Sequence, residues 1–286
     1  MTKRTILHIG LPKTGTTSLQ VGLRGEETVH YVHTPGAKEG QSRAVTKAMR
    51  PGAGEDQIDW LAELQRSISA DPRTTIISDE ALSKIGEVAP DRLAWFLEAL
   101  PGPVQCVLVL RPFLSWLESL INQAAKNGNF DFGRFDPATT TDINGYPLNF
   151  EEVLGFYRDV EARLGGKMTL RAMFYNDTIN DRLRRVIGLP EDVPSSEARN
   201  TSPRASAAFA MACRAAGIEP PETEPGLRFI GRSEAAALQA RHGAWIERVT
   251  AGLGWDPRTL DDFARFTRDS GTGSYLAIGR EIFERA

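Results

Sequence analysis

Short apolar runs rich in β-branched residues recur at about 5–9, 28–33, 74–78, 104–110 and 168–175, and between them the apolar positions change to a helical spacing. Trp60, Leu61, Leu64 and Ile68 fall on one helical face. A further helix opens at Pro90-Asp91, carries Leu93, Phe96, Leu97 and Leu100, and stops at Pro101-Gly102-Pro103. Asn149, with Glu152 three residues on, marks another start, followed by the stripe Phe150, Val153, Leu154, Tyr157, Val160 and Leu164 up to Gly165-Gly166. Strand and helix alternating in this way predict an α/β fold, a parallel sheet flanked by helices on both faces. The alternation breaks twice. Residues 127–148 form a long connection with four aromatics, and from about residue 200 the pattern is helical only, interrupted at 219–226. The expected organisation is a single domain over 1–286, with a core at 1–195 and a C-terminal helical appendage at about 200–286.

Composition narrows the class but not the chemistry. Of 286 residues, 41% are hydrophobic and 25% charged, as in an ordinary globular chain long enough to bury a sizeable core. The net charge of −3 gives no reason to expect a nucleic-acid partner or an anionic membrane surface, so any basic pocket must be local. The two cysteines, Cys106 in a strand pattern and Cys213 in a helix pattern, have neither metal nor disulfide spacing and are expected to be buried thiols. No run of about 18 apolar residues occurs, and the first strand begins at once; a cytoplasmic protein without a membrane partner is the expectation.

The chemistry is concentrated where the first strand, Thr5-Ile6-Leu7-His8-Ile9, runs into Gly10-Leu11-Pro12-Lys13-Thr14-Gly15-Thr16-Thr17-Ser18-Leu19. The frame Gly10 to Gly15 fits the phosphate-binding loop G-x-x-x-x-G-K-[ST], but Thr16 stands at the lysine position and the lysine has moved into the loop as Lys13. Glycines that turn N–H groups inward, and a helix that points its positive end at the loop, still predict an anionic ligand. The lysine that spans β- and γ-phosphates is gone, and with it the metal chemistry of nucleotide hydrolysis.

Pro12 to Leu19 resembles the 5′-phosphosulfate loop of the sulfotransferases that use 3′-phosphoadenosine 5′-phosphosulfate (PAPS), in a bacterial, carbohydrate-modifying form. The resemblance implies a fold related to that of the P-loop NTPases. It implies that Pro12, Lys13, Thr14, Gly15, Thr16, Thr17 and Ser18 hold the 5′-phosphosulfate, and that Lys13 neutralises charge as the S–O bond breaks. It also implies a second anion site for the 3′-phosphate. After the apolar strand Val104 to Leu110, Arg111 and Ser119 have the family's spacing of eight residues, although Pro112 follows the arginine directly where many members have one residue between.

The transfer also needs a base for the acceptor hydroxyl. The strand Thr74 to Ser78 ends in Asp79-Glu80, at the sheet edge where open α/β folds bind ligands, and carbohydrate-modifying members keep a glutamate there. Glu80 is the expected base. Asp79 and His33 are the alternatives, and the competing role for this segment is a helix cap. His8 reads as a core residue. The resemblance covers residues 5–24, 74–82 and 104–123; the aromatic that cytosolic members place after the paired threonines is Ser18 here, and their C-terminal glycine-rich segment is absent. Gly271-Thr272-Gly273-Ser274, near Arg265 and Arg268, is a candidate clamp in its place. The implied reaction is sulfuryl transfer from PAPS, without a metal, to a hydroxyl or amine of a small-molecule or glycan acceptor, leaving 3′-phosphoadenosine 5′-phosphate. Residues 127–148, with Phe130, Phe132, Phe135 and Tyr146, are expected to close over that acceptor. The alternative is a nucleotide-binding or kinase-like P-loop protein.

Overall fold

A computed structural model describes residues 3–14, 16–34, 41–175, 179–188, 205–222, 227–264, 266 and 273–283. In chain order its first elements are β1 (Thr5–Gly10), α1 (Thr16–Leu23), β2 (Val29–Val32), α2 (Arg43–Ala48), α3 (Glu55–Ala70), β3 (Thr74–Ser78), α4 (Pro90–Glu98) and β4 (Val104–Leu110). They are followed by α5 (Phe113–Lys126), β5 (Asp142–Ile143), β6 (Tyr146–Pro147), α6 (Phe150–Arg163), β7 (Met168–Phe174), α7 (Ile179–Ile187), α8 (Ala205–Ala215), α9 (Arg232–Gly252) and α10 (Tyr275–Phe283). All five expected strands are present and form one parallel sheet in the order β2-β3-β1-β4-β7. The fold is α/β, as the alternation predicts.

Two compact units make up the chain: residues 1–110 with 152–199, and residues 111–151 with 200–286. The C-terminal helices thus group with the 111–151 segment, a division that no single point in the sequence marks. The first unit holds the sheet. Every residue of the central strand β1 is buried, as in strands covered on both faces. Ile6, Ile76, Val107 and Val109 from the strands pack with Leu19 and Leu23 of α1 and Leu183 of α7. Burying a leucine or valine in such a core is worth about 1.5–3 kcal/mol, which fixes α1 to the sheet. Cys106 is buried in β4, where the apolar surroundings push its thiol well up, so it stays protonated and inert.

The second unit is built on aromatic packing. Phe113 and Trp116 of α5 both meet Phe150, and Phe113 also packs against Trp245, His242 and Phe263. The N-terminus of α5 is capped by the buried Asp262, whose carboxylate accepts from the N–H groups of Leu114 at 2.8 Å and Ser115 at 2.9 Å. Residues 127–148 differ from the expected lid. Phe130, Phe132 and Phe135 are buried; Phe132 packs against Phe209, Phe229 and Phe283, and β5 pairs with β6 in a short antiparallel hairpin. Three of the four aromatics are therefore spent on the unit's own core. A run of aromatics among turn residues looks like a ligand surface in sequence, because the helices that cover it lie about a hundred residues further on.

Candidate functional site

The loop after β1 takes its shape from three local devices. Thr14 is buried, and its hydroxyl donates to the Leu11 carbonyl at 2.6 Å, closing the turn. Lys13, half-buried at the tip, has φ of +68°, a left-handed conformation that an L side chain resists by roughly 1–2 kcal/mol. Gly10 leaves room for the chain to fold back: a Cβ there would overlap the Thr16 methyl and stand 3.0 Å from Thr14 Oγ1. Helix α1 then starts at Thr16, and its N-terminus supplies the positive end of a dipole to the loop. Pro12 is buried and Thr17 half-buried. Gly15 lies outside the described residues, as does the side chain of Ser18.

The neighbouring strand end is just as tightly determined. Asp79, fully buried, accepts the Ala81 N–H at 3.0 Å and the Thr46 hydroxyl at 2.6 Å, with Arg43 Nε at 3.8 Å. These contacts start the 3₁₀ turn Glu80–Ser83. They are the capping role weighed against catalysis, and Asp79 fills it. Ser83 Oγ donates to the Glu80 carbonyl at 2.7 Å, and the buried Tyr157 hydroxyl on α6 donates to the Leu82 carbonyl at 2.7 Å. The backbone of Glu80 is thus held from several sides while its side chain is half-buried.

Loop and strand end meet through α1. The Thr16 hydroxyl donates to the Glu80 carboxylate. One turn on, Gln20 Nε2 donates to Ser78 Oγ at 3.0 Å and lies 3.3 Å from the Ser78 carbonyl. Residues four apart share a helix face, so Thr16 and Gln20 together set α1 in register with the end of β3. Ser78 Oγ also bonds His8 Nδ1 at 2.8 Å, in agreement with the strand register that pairs these two residues. Burial lowers the His8 pKa to about 4, leaving the ring neutral, and its buried Nε2 has no hydrogen-bond partner among the described residues. His8 is a core residue, then, but an incompletely satisfied one.

Of the remaining expected residues, His33 is exposed just after β2, stacked at 6.3 Å on Tyr31. Arg111 and Ser119 belong to the second unit, both half-buried, at the turn into α5 and two turns along it. Arg265, Arg268, Gly271 and Thr272 of the candidate clamp lie outside the described residues, and Ser274 is buried with its hydroxyl on Glu234 at 3.0 Å. Sequence reading missed Gln20, Thr46, Ser83 and Tyr157; only Gln20 carried a signal, its spacing of four from Thr16. Among the described residues, no group of three or more His, Cys, Asp or Glu is placed to hold a metal, and no helix is long and apolar enough to cross a membrane.

The backbone strain at Lys13 separates stability from chemistry. Lys13→Gly removes the Cβ that resists the left-handed turn along with the ammonium. The thermal midpoint should hold or rise, with a gain of up to about 1 kcal/mol, while any activity that depends on the ammonium falls. A clear drop in midpoint would show that the side chain, not the loop backbone, holds the turn together.

No protein-family model matches the chain, and no curated protein does either. Among solved structures the chain is similar to a sulfotransferase from Alicyclobacillus acidocaldarius, at 12% identity and a TM-score of 0.49, over 90% of this chain and 98% of that one. A likeness of that extent decides neither family nor function, which are left to the residues of the site.

Proposed function

We propose that this chain transfers a sulfuryl group from PAPS to a hydroxyl or amine of a small-molecule or glycan acceptor. The observation that carries the reading is the hydrogen bond from Thr16 to Glu80, which joins the loop proposed to hold the anion to a carboxylate at the neighbouring strand end. Sulfuryl transfer asks for little more than alignment, charge stabilisation and a proton acceptor. In this reading the acceptor oxygen attacks sulfur and its proton passes to Glu80. The bond between sulfur and the bridging oxygen breaks, and Lys13 neutralises the charge left on the 5′-phosphate of the departing 3′-phosphoadenosine 5′-phosphate.

A magnesium-dependent phosphotransferase also pairs a loop hydroxyl with a strand-end carboxylate, and this is the competing reading. It needs a lysine where this chain has Thr16, which favours the sulfuryl donor.

The assignment of Arg111 and Ser119 to the 3′-phosphate rests on their sequence spacing. The test is thermal stabilisation and calorimetry with 3′-phosphoadenosine 5′-phosphate in the absence of metal, against adenosine 5′-phosphate and against ATP with magnesium. Tight binding of the bisphosphate alone is expected, and Arg111→Ala should weaken it by about 2–4 kcal/mol. Equal affinity for the bisphosphate and the monophosphate would remove the second anion site. Preference for ATP with magnesium would replace the reading by the kinase-like one.

A further inference from the structure

Thr16 belongs to the segment expected to grip phosphate, yet its side chain is fully engaged by the protein. It is buried, its hydroxyl donates to Glu80, and its methyl occupies the space beside Gly10 that a Cβ would need. These two contacts fix one rotamer: methyl toward β1, hydroxyl toward β3. A threonine hydroxyl has a single proton to donate. A phosphate oxygen accepts hydrogen bonds and has no proton to offer in return at neutral pH, so an Oγ1 whose proton is on Glu80 cannot also bind it. Gln20, bonded to Ser78 on the same helix face, keeps Thr16 at this distance from the strand end.

We infer that Thr16 is the positioning residue of Glu80: its hydroxyl orients the carboxylate, and the loop holds its anion through backbone N–H groups, Lys13 and Thr17. This rests on the sulfuryl-transfer reading for its catalytic consequence, but the contact itself stands without it. A carboxylate that must take a proton in the transition state loses rate when its orientation is lost, while donor binding does not depend on that orientation.

The test is a double-mutant cycle with Thr16→Val and Glu80→Gln, read in kcat, in calorimetric affinity for 3′-phosphoadenosine 5′-phosphate and in unfolding midpoint. Thr16→Val should lower kcat about 10- to 100-fold with donor affinity within about threefold. Thr16→Ser, which keeps the hydroxyl, should recover most of the loss. On the Glu80→Gln background, Thr16→Val should cost almost no further turnover. A loss of donor affinity beyond about tenfold with kcat held, or kcat losses that multiply, would overturn the positioning role and return Thr16 to the phosphate, with sulfuryl transfer intact. If the wild-type protein neither transfers nor binds the bisphosphate, the proposed function fails. The midpoints still decide the contact, with Glu80→Ala in place of Glu80→Gln because glutamine can keep accepting from Thr16: non-additive changes support it and additive ones overturn it. If valine at 16 does not fold, Thr16→Ala is read in the same cycle.

Discussion

Glu80→Gln should lower turnover by about 10²–10⁴-fold and leave affinity for the donor product almost unchanged, because general-base catalysis is worth that range and glutamine cannot take the proton. The substitution leaves the backbone contacts of the turn in place. Its amide oxygen can still accept from Thr16, and the Ser83, Tyr157 and Asp79 contacts that hold the turn involve backbone atoms and not the Glu80 side chain. Steady-state kinetics with saturating PAPS, beside calorimetry with the bisphosphate, separates the two effects. Near wild-type turnover would dismiss Glu80. His33→Ala would then be the informative comparison, because Asp79→Asn would disturb the turn it caps and lose activity for a structural reason.

Gly10→Ala should be as damaging by another route. Its new methyl would overlap the Thr16 methyl and press on Thr14 Oγ1, so the loop and the first turn of α1 must move. Overpacking of this kind costs about 1–3 kcal/mol of stability. Moving Thr16 also moves its partner Glu80, and a displacement of about 1 Å at reacting groups is worth about 10²-fold on its own. With the donor loop distorted as well, turnover should fall by about 10³-fold and bisphosphate binding should weaken with it, unlike in Glu80→Gln. A folded Gly10→Ala protein with normal donor affinity would show that the loop has slack the close packing denies.

The sheet was legible in the sequence because its central strands are covered on both faces: Val104 to Leu110 is apolar at every position but Gln105, and its length and β-branched residues fit a buried parallel strand. Lys13 and Glu80 could be picked out as candidates because both stand near strand ends beside glycine or capping residues. What could not be read was the partner of each side chain. Asp79 and Glu80 are adjacent carboxylates, and only the tertiary arrangement, with Thr46 and Arg43 coming from α2, assigns one to the turn and leaves the other facing Thr16. The aromatic run at 130–135 failed for the same reason. Its companions Phe209, Phe229 and Phe283 are too distant in sequence for any local pattern to announce them.

The interleaving of the two units has a consequence for synthesis. Residues 111–151 leave the ribosome before β7 completes the sheet, yet their own companions, among them Trp245 and Phe263, come after residue 200. At about 5–20 residues per second, α5 waits several seconds with the side of Phe113 that meets Trp245 and Phe263 uncovered. Nascent chains are therefore most exposed to chaperones and to aggregation in that interval, and a fragment ending near residue 200 would keep its five strands and Phe150 but leave Phe113 without His242, Trp245 and Phe263.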